Sequence, residues 1–369
     1  MKAKARATEL LLQAGITING NKPWDIQVHD DRLYNRIFRG GSIAVGESYM
    51  DGWWDCEDLA GFFFKLLRSN LEGSVRHIGM LWHILPVLVF NMQTRSRALR
   101  VGKEHYDIGN DLYEAMLGPS MAYSCGYWKN ASNLDEAQDA KFDLVCRKLG
   151  LKSGDRVLDI GCGWGNFLAY AAKKYGVSGV GITISKEQIA LAREIVRGLD
   201  VEIRFEDYRD TTGQFDHVVS IGMFEHVGPK NYRAYFTKVR ELVKDDGFVL
   251  VHTIGSWRTT YITDPWFNKY IFPNGVTPSV ARLGKATNGL FVLEDWHNFG
   301  ADYDKTLMAW YENFERAWPD LKSKYGERFF RMWRYYLLSA AGSFRARRTQ
   351  LWQVVLSKKG VVGGYEPVR

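Results

Sequence analysis

Cysteine is scarce in this chain, with four residues among 369, at Cys56, Cys125, Cys146 and Cys162. None forms a C-x-x-C pair, and no H-x-x-x-H or H-E-x-x-H run accompanies them, so neither a metal nor a disulfide is expected. Long apolar runs are also missing. The longest, Ile78 to Phe90, is broken by His83 and Pro86 and falls short of the roughly 20 residues a membrane-spanning helix needs. The opening Met1-Lys-Ala-Lys-Ala-Arg-Ala leads into polar and acidic residues instead of an apolar core. That argues against a secretory signal and for a cytoplasmic protein. No internal repeat or low-complexity tract is present.

What the chain does have is positive charge and aromatic rings. Forty-nine Lys and Arg against 42 Asp and Glu leave a net +7, which suits a phosphate-rich partner. Nucleic acid and anionic lipid both qualify, because both attract the same cations. Aromatic residues make up a high 14%, including 13 Trp and 19 Tyr, available for the core or for an apolar ligand or membrane surface. The Ile78–Phe90 run leads into Arg95, Arg97, Arg100 and Lys103, the order found in segments lying among phospholipid headgroups. Three regions are expected: a small α+β domain over 1–90, a basic linker over 91–105, and a larger domain over 106–369.

From about Gly154 the pattern becomes regular. Val157-Leu-Asp-Ile, Gly179-Val-Gly-Ile, Val201-Glu-Ile-Arg-Phe, His217-Val-Val-Ser-Ile and Phe248-Val-Leu-Val-His read as five strands. Helical stretches at 166–174, 186–197 and 231–244 separate them, the last placing Tyr232, Tyr235, Phe236, Val239 and Val243 on one face. Strands alternating with helices imply parallel pairing through right-handed crossovers, hence a doubly wound α/β sheet. Phe291-Val-Leu and Leu351-Trp-Gln-Val-Val-Leu flank a helical insertion and are expected as two antiparallel edge strands, making seven.

The first strand runs into Asp159-Ile-Gly-Cys-Gly-Trp-Gly165. Glycines at 161, 163 and 165 let the backbone turn sharply and approach a ligand, and the next helix offers unpaired N–H groups. The spacing is G-x-G-x-G, and the second strand ends in Gly181-Ile-Thr-Ile-Ser185 with no carboxylate, unlike a dinucleotide site. The third strand instead ends in Glu206-Asp207-Tyr208, suited to gripping an adenine amino group or a ribose. This pattern resembles the Rossmann-like class I methyltransferases that use S-adenosyl-L-methionine. Ser185 and Gln188 also form an S-x-x-Q capping box. Glu225 and His252 fall at the ends of the fourth and fifth strands, where a parallel sheet collects its ligands.

Closer strings narrow the resemblance. Gly102-Lys-Glu-His-Tyr-Asp-Ile-Gly-Asn-Asp, Tyr123-Ser-Cys-Gly-Tyr-Trp128, Gly222-Met-Phe-Glu-His-Val-Gly228, His252-Thr-Ile-Gly255 and His297-Asn-Phe-Gly-Ala-Asp-Tyr303 are similar to those of the cyclopropane-fatty-acyl-phospholipid synthases, relatives of the mycolic acid cyclopropane synthases. The resemblance implies transfer of a methylene from S-adenosyl-L-methionine to a cis double bond of a phospholipid acyl chain, through a carbocation deprotonated by bound bicarbonate. It implies an anion site at Cys125, Glu225, His252, Ile254 and Tyr303, with backbone N–H donors at Cys125 and Ile254. Cofactor contacts carry over to Tyr123, Ser124, Asp159, Gly161, Cys162, Gly163, Gly165, Thr183, Ser185, Gln188, Glu206 and Asp207. It further implies peripheral contact with the inner face of the cell membrane through the 1–90 domain, and a homodimer. One departure is Tyr335-Tyr-Leu-Leu-Ser-Ala-Ala-Gly342, where Ala340 stands at the position of a cysteine found in some members. A covalent route through that position is excluded.

Two alternatives remain within the same chemistry. A misplaced base would yield methyl-branched lipids, and the positive charge would also suit a nucleic-acid methyltransferase. Against the latter, no Pro is followed by Cys and no N-P-P-Y or D-P-P-Y string occurs, so no nucleic-acid partner is expected.

Overall fold

The computed structural model describes residues 2–69, 71, 93 and 109–369. The expected lipid-contact segment 78–103 lies outside the described residues apart from Gln93. Among the described residues, no helix is long and apolar enough to cross a membrane.

The chain forms two compact units. One combines Met1–Phe90 with Ile262–Pro273 and Tyr303–Thr349, and the other combines Asn91–Tyr261, Asn274–Asp302 and Gln350–Arg369. The first unit opens with α1 (Lys2–Gln13), a short antiparallel pair of β1 (Gln27–Val28) and β2 (Trp54–Asp55), α2 (Arg32–Met50) and α3 (Leu59–Arg68). Asp58 caps α3 by accepting the Gly61 N–H at 2.7 Å.

The second unit begins with α4 (Asn110–Leu117) and α5 (Leu134–Leu149), the latter capped by Asn133 and closed by left-handed Gly150. The nucleotide-binding pattern then unfolds as β3 (Arg156–Ile160), α6 (Asn166–Tyr175), β4 (Ser178–Thr183), α7 (Lys186–Ile195), β5 (Val201–Phe205), β6 (His217–Ile221), α8 (Tyr232–Leu242) and β7 (Phe248–Ser256). After α9 (Pro265–Tyr270), which belongs to the first unit, come α10 (Val280–Thr287) and β8 (Val292–Asn298). The last elements are α11 (Ala301–Tyr325), α12 (Glu327–Arg345) and β9 (Thr349–Ser357).

The sheet has seven strands in the order β5-β4-β3-β6-β7-β9-β8. β3 through β7 pair in parallel, and β8 runs antiparallel to β9, as expected. The order reverses between β3 and β6, so a crevice opens there at the carboxyl edge. Both faces are covered. On one, Tyr232, Tyr235, Phe236, Val239 and Val243 of the α8 region pack on β-strand residues including Val218, Val249 and Val251. On the other, Phe142, Val145 and Leu149 of α5 join Phe167 and Leu168 of α6 against Val157, Val219 and Leu250. Each fully buried ring or aliphatic chain contributes about 1.5–3 kcal/mol.

The expected fifth strand is corrected at its end. It does not stop at His252 but runs four residues further to Ser256. His252 is therefore inside the strand, opposite Ile221, the last residue of β6.

The helices of the C-terminal insertion pack within the first unit, α12 lying on α3. A Cβ at Gly342 of α12 would sit 2.6 Å from Ala60 O and 2.7 Å from Phe63 Cβ, so only glycine permits this approach. Trp266 lies 4.5 Å from Tyr335 between ring centroids, and a Cβ at Gly46 would strike its indole at 2.3 Å.

Candidate active site

The glycine loop is set by strand ends. Gly161 and Cys162 donate their N–H groups to Ile182 O at 2.9 and 3.0 Å, which turns the chain off β3 toward β4. Gly161, Gly163 and Gly165 have φ of 82°, 56° and 82°, a region L side chains avoid. At Gly161 a Cβ would also lie 2.6 Å from Met223 Cγ, beside β6, whereas the space over Gly163 is open to 4 Å. Directly after Gly165, α6 presents its first N–H groups.

Asp159, the penultimate residue of β3, is buried, and its Oδ1 has no hydrogen-bond partner. Burial pushes its carboxyl up to about 7, and the buried ammonium of Lys141 pulls the other way. Lys141 is pushed down to about 7 by the same loss of solvent. Its Nζ donates to Ser124 Oγ at 3.0 Å and to Gln138 Oε1 at 2.7 Å. Gln138 Nε2 donates to Ser124 O at 2.9 Å. One face of α5 thus grips the Tyr123-Ser124-Cys125 loop by backbone and side chain together. Tyr123 meets Tyr113 edge-on at 5.3 Å, and Tyr113 lies 5.5 Å from Trp164 of the glycine loop.

Ser185 Oγ accepts the Gln188 N–H at 3.4 Å and so caps α7, but the Ser185 N–H goes to Thr183 Oγ1 at 3.2 Å, and Gln188 Oε1 takes the Thr183 hydroxyl at 3.0 Å, so the return half of the capping box is supplied by Thr183. Asp207 is spoken for within the chain: it accepts from the Arg209 N–H at 3.0 Å and from its guanidinium at 2.9 Å. Glu206 is half-buried at the end of β5, its N–H donating to Thr183 O. A buried carboxyl with one unpartnered oxygen, open space above Gly163 and fresh helix N–H groups suit a cationic amino-acid nucleoside. The residues fit S-adenosyl-L-methionine.

Beside this lies the second cluster. Glu225 sits in a short turn after β6, buried, with burial pushing its carboxyl up to about 7. Its Oε1 accepts the Ile254 N–H at 2.6 Å, so that donor, expected to face an anion, is occupied here by Glu225. Oε2 of Glu225 has no partner. His252 is buried, and loss of solvent holds its imidazole well below the ordinary value, hence neutral. Gln353 Nε2 on β9 lies 3.3 Å from His252 Nδ1. With the amide nitrogen donating, the proton resides on Nε2, which has no partner. Phe299 packs edge-on against His252 at 5.8 Å and against Tyr127 at 5.3 Å. Cys125 is buried, its Sγ directed to Gly126 O at 3.2 Å. An unpartnered acceptor in the turn after β6 and an unpartnered donor on β7 are the kinds of group that an anion carrying a hydroxyl would need.

Tyr303 falls in the first unit, one residue past the border at Asp302. Its ring stacks on Phe344 at 4.4 Å and meets Trp310 edge-on at 6.0 Å. Asp302, in the second unit, accepts the Trp128 N–H at 2.8 Å. Lys141, Gln138 and Gln353 were not among the expected site residues. A signal existed for the first two, since both interrupt the apolar stripe of α5 formed by Ala137, Leu144 and Val145. Gln353 likewise breaks the apolar strand Leu351–Leu356.

The model of the mycolic acid cyclopropane synthetase family matches residues 93–354. The chain is 55% identical over 364 residues, 98% of its length and 95% of the relative's, to a cyclopropane-fatty-acyl-phospholipid synthase of Escherichia coli K12. It is 34% identical to a tuberculostearic acid methyltransferase of Mycobacterium tuberculosis, covering 89% of this chain and 82% of that one. Among solved structures, the cyclopropane synthase MmaA2 from Mycobacterium tuberculosis superposes with a TM-score of 0.66 at 29% identity, covering 70% of this chain and 98% of that one.

Proposed function

Because the chain belongs to the mycolic acid cyclopropane synthetase family, we propose that it transfers a methylene group from S-adenosyl-L-methionine to the cis double bond of a phospholipid acyl chain, closing a cyclopropane ring. The observation that carries this reading is the pair of buried, unpartnered atoms Glu225 Oε2 and His252 Nε2 beside the glycine loop. S-adenosyl-L-methionine, when bound, supplies an electrophilic methyl group. Asp159 and the 161–165 loop would hold it, and the Lys141–Ser124 contact keeps the covering loop in place. An alkene is a weak nucleophile, so exclusion of water and alignment supply much of the rate. Phe299, beside His252, and Tyr127, packed against Phe299, are aromatic rings of the kind that stabilise a carbocation by about 0.5–2 kcal/mol each.

Bicarbonate, when bound, supplies the base that removes the proton. Neutral His252 would donate to it through Nε2, and Glu225 would accept its hydroxyl. Cys125 and Tyr303 join this set on the family strings that contain them. On the same resemblance the enzyme works as a homodimer, peripherally, at the cytoplasmic face of the membrane, with the N-terminal 90 residues as a docking domain. Mass spectrometry of phospholipid vesicles with cis-monounsaturated chains, after incubation with protein and S-adenosyl-L-methionine, tests the reading. A gain of one CH₂ per chain with loss of the double bond is expected, and chain analysis separates a ring from a branch. No lipid change by folded, cofactor-binding protein would sink it.

A further inference from the structure

Two large aromatic side chains of the second unit stand in water. Trp257 keeps 49% and Tyr261 48% of its surface exposed, just after β7 ends at Ser256. Their segment is fastened down. Ser256 N–H donates to Pro278 O at 2.8 Å, the hydroxyls of Thr259 and Ser279 lie 2.8 Å apart, and the Arg282 guanidinium donates to Thr260 O. Val280, which opens α10 directly after Ser279, is also 55% exposed.

Cations accompany the rings. The Arg258 guanidinium lies 4.0 Å from the Trp257 ring centroid, and that of Arg282 lies 4.9 Å from Tyr261. Lys285 is exposed on α10. Neither residues 256–263 nor residues 279–288 include an Asp or a Glu.

We propose that Trp257, Tyr261 and Val280, with Arg258, Arg282 and Lys285, form the surface by which this unit docks on an anionic phospholipid bilayer. Trp and Tyr settle at the headgroup level because one end of each ring system is apolar and the other hydrogen-bonds. Nearby Arg and Lys are drawn to the negative surface potential. A patch of exposed rings on a folded unit otherwise carries an aggregation cost, and its coincidence with Arg258, Arg282 and Lys285 selects an anionic, amphipathic partner. The position also fits: Trp257 is the first residue beyond the strand that carries His252 and Ile254. This surface presupposes the phospholipid substrate proposed above.

The test uses the full chain and its Trp257→Ser/Tyr261→Ser variant, with unchanged cofactor binding as the control for folding. Co-sedimentation with phosphatidylglycerol vesicles should fall at least tenfold for the variant, and turnover of vesicle lipid should fall with it. Turnover of the same lipid in detergent micelles should be retained. As a second measurement, quenching of tryptophan fluorescence by bromine-labelled phosphatidylglycerol should be strong in the unaltered chain and weaker in Trp257→Phe. Equal vesicle binding and equal quenching would overturn the docking surface while leaving the activity reading intact. Loss of binding to an acidic protein or to DNA, with vesicle binding unchanged, would overturn it in favour of that partner. Absence of turnover by the unaltered chain on vesicles and micelles alike would instead count against the activity.

Discussion

Glu225 Oε1 accepts the backbone N–H of Ile254 at 2.6 Å, joining the turn after β6 to the end of β7 while its second oxygen stays without a partner. One carboxylate therefore does two jobs, holding two strands' ends together and offering an acceptor. Glu225→Gln separates them. The amide oxygen can still take the Ile254 N–H, but the other position becomes a donor. Turnover of vesicle lipid should fall about 10²–10⁴-fold, the usual range for losing a proton-handling group. Cofactor affinity by calorimetry should stay unchanged. Retained turnover would remove Glu225 from the chemistry.

The same residue predicts a pH dependence of stability. Unfolded, the carboxyl titrates near 4.5, and folded, burial raises it to about 7. The folded state thus holds the extra proton between those values, and stability declines as pH rises through the window. The slope is about 1.4 kcal/mol per pH unit inside it. Glu225→Gln cannot titrate, so its melting temperature relative to the unaltered chain should climb from pH 5 to 7 and level off above. Parallel melting curves across that range would contradict the buried, proton-holding state.

Lys141 is invisible from the surface yet reaches Ser124 Oγ at 3.0 Å. Lys141→Met keeps the length of the side chain and deletes its donors. Losing a charged hydrogen bond to the covering loop should weaken S-adenosyl-L-homocysteine binding about tenfold or more. Titration calorimetry reads this directly, with thermal melting to confirm the fold. Unchanged affinity would reduce Lys141 to a packing role.

Gly161→Ala offers a steric test. The added methyl would meet Met223 Cγ at 2.6 Å and would have to adopt a φ of 82°. Strain on the order of 1–3 kcal/mol is expected from the backbone alone. Both melting temperature and cofactor binding should drop. A companion Met223→Ala change should restore part of the stability by removing the clash, and no recovery would point to the backbone as the whole cause.

The sheet was legible because strand and helix periods differ and each repeats several times between Val157 and Val251. The Ser185–Gln188 cap was legible for the same local reason. The end of β7 was misread at His252, where the apolar run of the strand stops, and the strand carries on through Gly255. That glycine marks a close approach: a Cβ would lie 2.4 Å from the Trp352 ring. Gln353 reaches His252 across 101 positions of sequence, a pairing no local pattern encodes. Asp207 could be recognised as a strand-end acid, but not that Arg209, two residues on, already holds it.

The first unit draws its helices from both ends of the chain, and Gly342 of α12 must press against Ala60 and Phe63 of α3. About 260 residues lie between the end of α3 and the start of α12, which a ribosome making about 5–20 residues per second takes roughly 10–50 s to add. For that interval Phe62 and Phe63 have no α12 to cover them, and the second unit waits longer still, because β9, which sits between β7 and β8 in its sheet, follows α12 in the chain. Neither unit can therefore be completed until nearly the whole chain has been made: the earliest helices wait for α12, and the sheet waits for a strand that arrives after it.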